Sequence, residues 1–122
     1  MVWLPQMYRK DLMYGLHAAD IVCAEFEHSW VASGVLYEAL VVGRPLLAYR
    51  EERRYQEEYP ELYPIMNARE PESIAARLEE YVDHPEVFQE MGRQGRAWYQ
   101  EHIVDKALAK YLDYFQGVKT CS

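Results

Sequence analysis

Three short stretches decide the fold of this chain: Ala19-Asp20-Ile21-Val22-Cys23-Ala24, Ser33-Gly34-Val35-Leu36-Tyr37-Glu38-Ala39-Leu40, and Gly43-Arg44-Pro45-Leu46-Leu47-Ala48-Tyr49. The run from Asp20 to Ala24 is brief, apolar and partly β-branched, so it reads as a short buried strand. Residues 25–32 hold no clean period and read as a loop. Ser33 is a helix N-cap by type and position, and Gly34 to Val42 continue as an apolar helix. Gly43 then ends that helix, as glycine does where the chain turns left-handed. Pro45 to Tyr49 reads as a second strand, with proline at the first position, where a missing N–H is tolerated.

Outward from this unit the pattern continues. Residues 7–19 carry Leu12, Leu16 and Ala19 on one stripe and predict a helix. Residues 50–62 are charged and Tyr-rich and predict an exposed loop with one helical turn, and residues 63–67 a third short strand. Pro71 and Pro85 both sit well at a helix N1 position. The first is followed by Ile74, Leu78, Tyr81 and Val82, the second by Val87, Phe88, Met91 and Trp98. A last helix is expected from about Val104, with Leu108, Tyr111, Leu112 and Phe115 on one face. Strands alternating with helices predict an α/β layer: a short parallel sheet flanked by helices, with a helical C-terminal tail. The expectation is one domain over residues 1–118, with 119–122 as a tail. Three strands make a narrow sheet, and parallel sheets want cover on both faces. The edge of this one is expected to be covered by further strands, a partner chain or a homodimer.

The chain has 122 residues and a formal charge of −7; half of it is apolar and 27% is charged. That is ordinary globular composition and excludes disordered or collagen-like classes. No apolar run approaches the ~20 residues of a membrane span, and the N-terminal residues do not resemble a signal peptide. Cys23 and Cys121 do not read as a disulfide frame or a zinc site, so a reducing compartment, the cytoplasm, is expected. With 13 Lys and Arg against 20 Asp and Glu, a nucleic-acid backbone is not an expected partner. The nearest basic run, Arg50 to Arg54, is interrupted by acids and reads as solvated. The tyrosines are scattered, which suits helix packing with the hydroxyl at the surface.

The chemistry-bearing candidates gather around residues 25–38. A helix N-terminus presents free N–H groups and partial positive charge, which favours phosphate. Gly34 lets an anion approach the backbone, and Ser33, Gly34 and Val35 form that segment. In open parallel sheets ligands bind beyond the carboxyl ends of the strands, where the 25–34 loop departs. Glu38 follows Gly34 by one helical turn and shares its face, so its carboxylate can accept from both hydroxyls of a ribose. Read alone, the same residues also fit an ordinary helix start with a solvated glutamate. Glu25, Glu27 and His28 are further candidates for loop contacts. No Ser-His-Asp order, P-loop or metal-ligand spacing is visible, and no catalytic residue is assigned.

Ala19-Asp20-Ile21-Val22, Gly34-Val35-Leu36-Tyr37-Glu38-Ala39-Leu40 and Gly43-Arg44-Pro45-Leu46-Leu47 together resemble the nucleotide-sugar-binding half of GT-B glycosyltransferases of the retaining group 1, or family 4, type. Glu70-Pro71-Glu72-Ser73-Ile74-Ala75 is similar to that family's D-P-E-x-L-A helix start, and His84-Pro85-Glu86 with Met91-Gly92-Arg93-Gln94-Gly95-Arg96 to its D-P-E … M-G-x-x-G/A-R helix. The resemblance runs from about residue 2 to 116. It implies a partial Rossmann-like domain, a nucleotide-sugar as substrate, hexosyl transfer, and neither cofactor nor metal. It implies ribose binding by Glu38, and backbone contacts to diphosphate and sugar at Ser33, Gly34 and Val35. Trp30 stands where the family has its first motif glutamate, and glycine sits one residue nearer to Glu38 than is usual. The family's diphosphate-binding arginine and lysine, and its N-terminal acceptor domain, correspond to no part of these residues. The chain is therefore expected to be inactive alone. A non-catalytic interaction module of the same fold and a nucleotide-sugar 2-epimerase-like piece are the alternatives.

The remaining residues read structurally. Gly92 and Gly95 are expected to permit close helix packing, and Trp3, Trp30 and Trp98 to pack. His17, His84 and His102 are expected at the surface or at caps, and His28 at the surface.

Overall fold

A computed structural model describes residues 5–58 and 60–120, the side chains of 118–120 excepted. The expectations for Trp3 and Cys121 lie outside the described residues. The elements are α1 (Arg9–Ala18), β1 (Val22–Cys23), α2 (Gly34–Val42), β2 (Leu46–Ala48), α3 (Glu52–Tyr55), β3 (Met66–Asn67), α4 (Pro71–Asp83), α5 (Pro85–Tyr99) and α6 (Lys106–Thr120). A π-helical segment, Gln100–Asp105, joins α5 to α6.

Local chemistry sets the helix ends. Ser33 Oγ accepts from the Leu36 N–H, and Gly43 closes α2 at φ 72°, the left-handed region that favours glycine. Arg44 then reaches back and donates to the His17 carbonyl in the last turn of α1, where a helix exposes partial negative charge. Prolines open α4 and α5, and Ser73 Oγ accepts from the Glu70 N–H at the start of α4.

The three strands form a parallel sheet in the order β1-β2-β3, with Val22 opposite Leu46 and Leu47 opposite Met66. The strands are shorter than the apolar runs predict. Their ladder nevertheless continues past them: Ala24 N–H donates to Leu47 O, Tyr49 N–H to Glu25 O, and Ala68 N–H to Ala48 O. Side chains alternate across the sheet as the pleat requires. Leu46 and Ala48 join Val22, Leu36, Ala39, Leu40 and Tyr63 in one cluster, whereas Leu47 joins Met66, Ala68 and Phe88 in a second. Helix α2 covers the first face. Helix α5 serves both clusters, with Phe88 and Met91 in the second and Trp98 and Tyr99 beside the first. Gly92 and Gly95 are buried along it, as their spacing predicts. The chain is thus a mixed α/β structure with a short three-stranded parallel sheet flanked by helices. Among the described residues no helix is long and apolar enough to cross a membrane.

Three expectations are corrected. Arg50 is buried rather than solvated, because Glu52 and the Tyr63 carbonyl satisfy its guanidinium and the Tyr63 ring lies against it. Trp30 is exposed and lies beside His28 instead of packing inward. His102 is half-buried, its ring stacked on Trp98.

Tyr63 shows what burial does to a titrating group. Burial pushes its phenol up to about 12, against a smaller opposing pull from the Arg50 guanidinium. Because the folded value lies above the ordinary ~10, the native state holds the proton more tightly than the unfolded chain. The contribution of Tyr63 to stability is therefore fully present below about pH 10 and is lost as pH rises through the folded value. Denaturant titrations at mildly and strongly alkaline pH check this. The wild type is expected to lose more stability over that interval than Tyr63→Phe; identical losses would contradict it.

Candidate functional site

The carboxyl ends of β1, β2 and β3 share one edge of the sheet, as a parallel arrangement requires. The loop leaving β1 is pinned there. The Glu51 N–H donates to Ser29 Oγ at 2.8 Å, Tyr55 Oη to the Ser29 carbonyl at 2.9 Å, and Tyr63 Oη to the Val31 carbonyl at 2.6 Å. These bonds tie the loop to the connection between β2 and β3, so a segment without periodicity still has fixed backbone. Tyr63 is also the largest of the most deeply buried side chains.

The loop delivers the chain into α2. Ser33 caps the helix, and Gly34 is its first residue. A Cβ added at Gly34 would meet nothing within 4 Å, so the protein's own packing does not demand glycine there. Val35 is exposed, and Glu38 follows one turn on. The Glu38 side chain is only 13% exposed and accepts a hydrogen bond from Arg9 Nη1, at the start of α1. Ser33, Gly34, Val35 and Glu38 thus lie on the first turns of α2, as the sequence predicts, with a guanidinium added that it did not.

Glu25, Glu27 and His28 form a second group in the preceding loop. Their ligating atoms lie within 4.8 Å of one another, a closeness that their sequence spacing does not announce. The Glu25 carboxylate accepts from the Glu27 N–H at 2.8 Å. This and neighbouring backbone bonds hold its carboxyl below the usual range. Arg69 lies just beyond β3. Its guanidinium sits 4.9 Å from the centre of the Tyr49 ring and donates to the Glu27 carbonyl. Desolvation pushes the Cys23 thiol up, which leaves it protonated and a poor nucleophile at neutral pH.

Two arginines of this region escaped the sequence reading. Arg9 is separated from Glu38 by 29 residues, and no local pattern links them. Arg69 had a usable signal: it lies two residues past a strand and two before a helix start, the place where carboxyl-edge residues of a parallel sheet fall.

Fold and site together define a class: an α/β domain with a capped helix N-terminus and a carboxylate one turn inside it, at the carboxyl edge of a parallel sheet. No family model, curated protein or solved structure matches the chain.

Proposed function

We propose that this chain is the donor-binding portion of a retaining GT-B glycosyltransferase, holding a nucleotide-sugar whose hexosyl group passes to an acceptor. One observation carries the reading. Glu38 lies one turn inside a helix whose first residue, Gly34, is a glycine with open space beside it. The N–H groups of Gly34 and Val35 contact the diphosphate, favoured by the positive end of the helix. The Glu38 carboxylate accepts from the ribose hydroxyls, sharing that work with its existing Arg9 contact. Arg9 adds positive charge to an otherwise acidic chain. The short parallel sheet flanked by helices and the sequence resemblance support the same reading. The domain's contribution is orientation of the donor and electrostatic support for the departing diphosphate. The acceptor site and the further diphosphate-binding cations belong to portions of such an enzyme that these residues do not match.

Glu38→Ala tests the ribose role. Loss of a charge-assisted hydrogen bond pair predicts about tenfold or more weaker binding of a nucleoside diphosphate. Pyrophosphate, which has no ribose, is expected to bind equally well or better, because the substitution frees Arg9. Calorimetry with both ligands reads the difference. Equal losses for the two would contradict the assignment.

A further inference from the structure

Trp30 meets solvent from a backbone that is held on both sides. Its residue is 52% exposed. Ser29, before it, is tied by the Glu51 N–H and by Tyr55 Oη, and Val31, after it, by the phenol of the buried Tyr63. An aromatic ring on a fixed mount loses little conformational entropy when a ligand lies against it. A single exposed apolar side chain is ordinary; its neighbours set this one apart. The His28 ring centre lies 6.2 Å from that of Trp30, the two planes tilted by 40°. His28 also belongs to the group in which its ring nitrogen and the Glu25 and Glu27 carboxylates approach within 4.8 Å. It therefore joins an indole, an imidazole and two carboxylates into one surface. Arg69 holds the acidic end of that surface by donating to the Glu27 carbonyl. The other end runs into α2, since Trp30 precedes the Ser33 cap by three residues.

We propose that Trp30 is the platform on which the pyranose ring of a sugar stacks, with Glu25 and Glu27 accepting hydrogen bonds from its hydroxyls. A pyranose carries C–H bonds on its faces and hydroxyls around its rim. The C–H face suits the indole, whose π face is negative. The O–H donors suit ionised carboxylates, which only accept. The Glu27 N–H, with neighbouring backbone bonds, holds the Glu25 carboxyl below its usual range, so it is ionised at neutral pH. A phosphate does not fit this surface, because two carboxylates repel a further anion. A nucleobase shares the stacking, but its edge presents acceptors as well as donors, and the acceptors oppose the carboxylates. The inference rests on the donor-binding reading for where the sugar comes from. With the diphosphate at Gly34 and Val35, the ribose lies one turn along α2 at Glu38. The hexosyl group, attached to the other end of the diphosphate, is left to the loop that enters the helix.

Nuclear magnetic resonance of the Trp30 indole N–H, assigned by its loss in Trp30→Ala, tests this. The probes are UDP and GDP, then UDP-glucose and GDP-mannose, and methyl β-glucopyranoside. At least one sugar nucleotide is expected to shift the indole signal, whereas its nucleoside diphosphate moves residues 33–38 alone. Trp30→Ala should weaken that sugar nucleotide by about fivefold and leave the nucleoside diphosphate unchanged. Trp30→Phe, which keeps a ring, should recover part of the loss. Far-ultraviolet dichroism of both variants should match wild type, since the side chain is exposed. A shift from methyl β-glucopyranoside with none from either sugar nucleotide supports the platform and assigns the sugar to a saccharide other than the donor. No shift at Trp30 from any sugar-bearing probe would overturn the proposal. So would a nucleoside diphosphate that moves Trp30 as far as its sugar nucleotide does, which would assign the ring to a nucleobase. The donor-binding reading fails separately, on residues 33–38 unmoved by UDP and GDP, neither of which carries a hexose.

Discussion

Gly92→Ala is expected to destabilise the fold by about 3 kcal/mol, although it replaces glycine by a better helix former. A Cβ at that position would fall 2.3 Å from the Gly43 carbonyl oxygen and 2.9 Å from the Arg44 carbonyl carbon. Both contacts are with backbone, and Gly43 is itself fixed in the left-handed turn that ends α2. The overlap cannot be relieved by a rotamer change. Helix α5 would have to move away from α2 and open the packing of both apolar clusters. Helix propensity returns about 1 kcal/mol at most, less than the cost of overpacking with no flexible neighbour. Gly95→Ala supplies the comparison. There the close contact is with Leu40 Cδ2 at 2.8 Å, the end of a side chain that can turn. Its expected cost is about 1 kcal/mol or less, net of the propensity gain. Urea unfolding of the two variants gives the order. Equal stabilities for Gly92→Ala and wild type would contradict the approach of α5 to Gly43.

Arg50→Met carries the second large effect, again about 3 kcal/mol of lost stability. Arg50 is 5% exposed at the end of β2. Its Nη1 donates to the Tyr63 carbonyl at 2.9 Å, and its Nη2 to Glu52 Oε1 at 3.0 Å. The guanidinium carbon lies 5.0 Å from the Tyr63 ring centre. Methionine matches much of the aliphatic stem but leaves the buried Tyr63 carbonyl without its donor, and that unmet acceptor is the main cost. Glu52 is 44% exposed and regains water, so it adds little. Arg50→Lys is expected to recover only part of the loss, because one ammonium cannot reproduce a planar fork serving two acceptors and a ring. The backbone bonds with Asn67, from Arg50 N–H to Oδ1 and from Nδ2 to Arg50 O, do not depend on the side chain and should survive. A variant as stable as wild type would contradict the buried role.

The same two positions show which features are legible in a sequence. Gly43, Ser33, Pro71 and Pro85 mark helix ends by chemistry acting within a few residues, and all four fall where expected. The strands are visible as apolar runs, but their lengths depend on partners elsewhere in the chain. Arg50 was read with its charged neighbours as solvated, because its main acceptor lies 13 residues on, across a loop. Arg9 was passed over for the same reason. The periodicity of α6 correctly marks an apolar face, yet periodicity records that a face is apolar and not what covers it. In the candidate site, Ser33, Gly34 and Glu38 were visible because they share one helix. The grouping of Glu25, Glu27 and His28 depends on loop conformation, which no periodicity encodes.

The most direct measurement follows the backbone amides by nuclear magnetic resonance as a nucleoside diphosphate is added to millimolar concentration. Saturating shifts concentrated at residues 33–38, with the Arg9 side chain moving in parallel, are the expected result. An unchanged spectrum at those residues, with the chain folded throughout, would contradict donor binding by this helix.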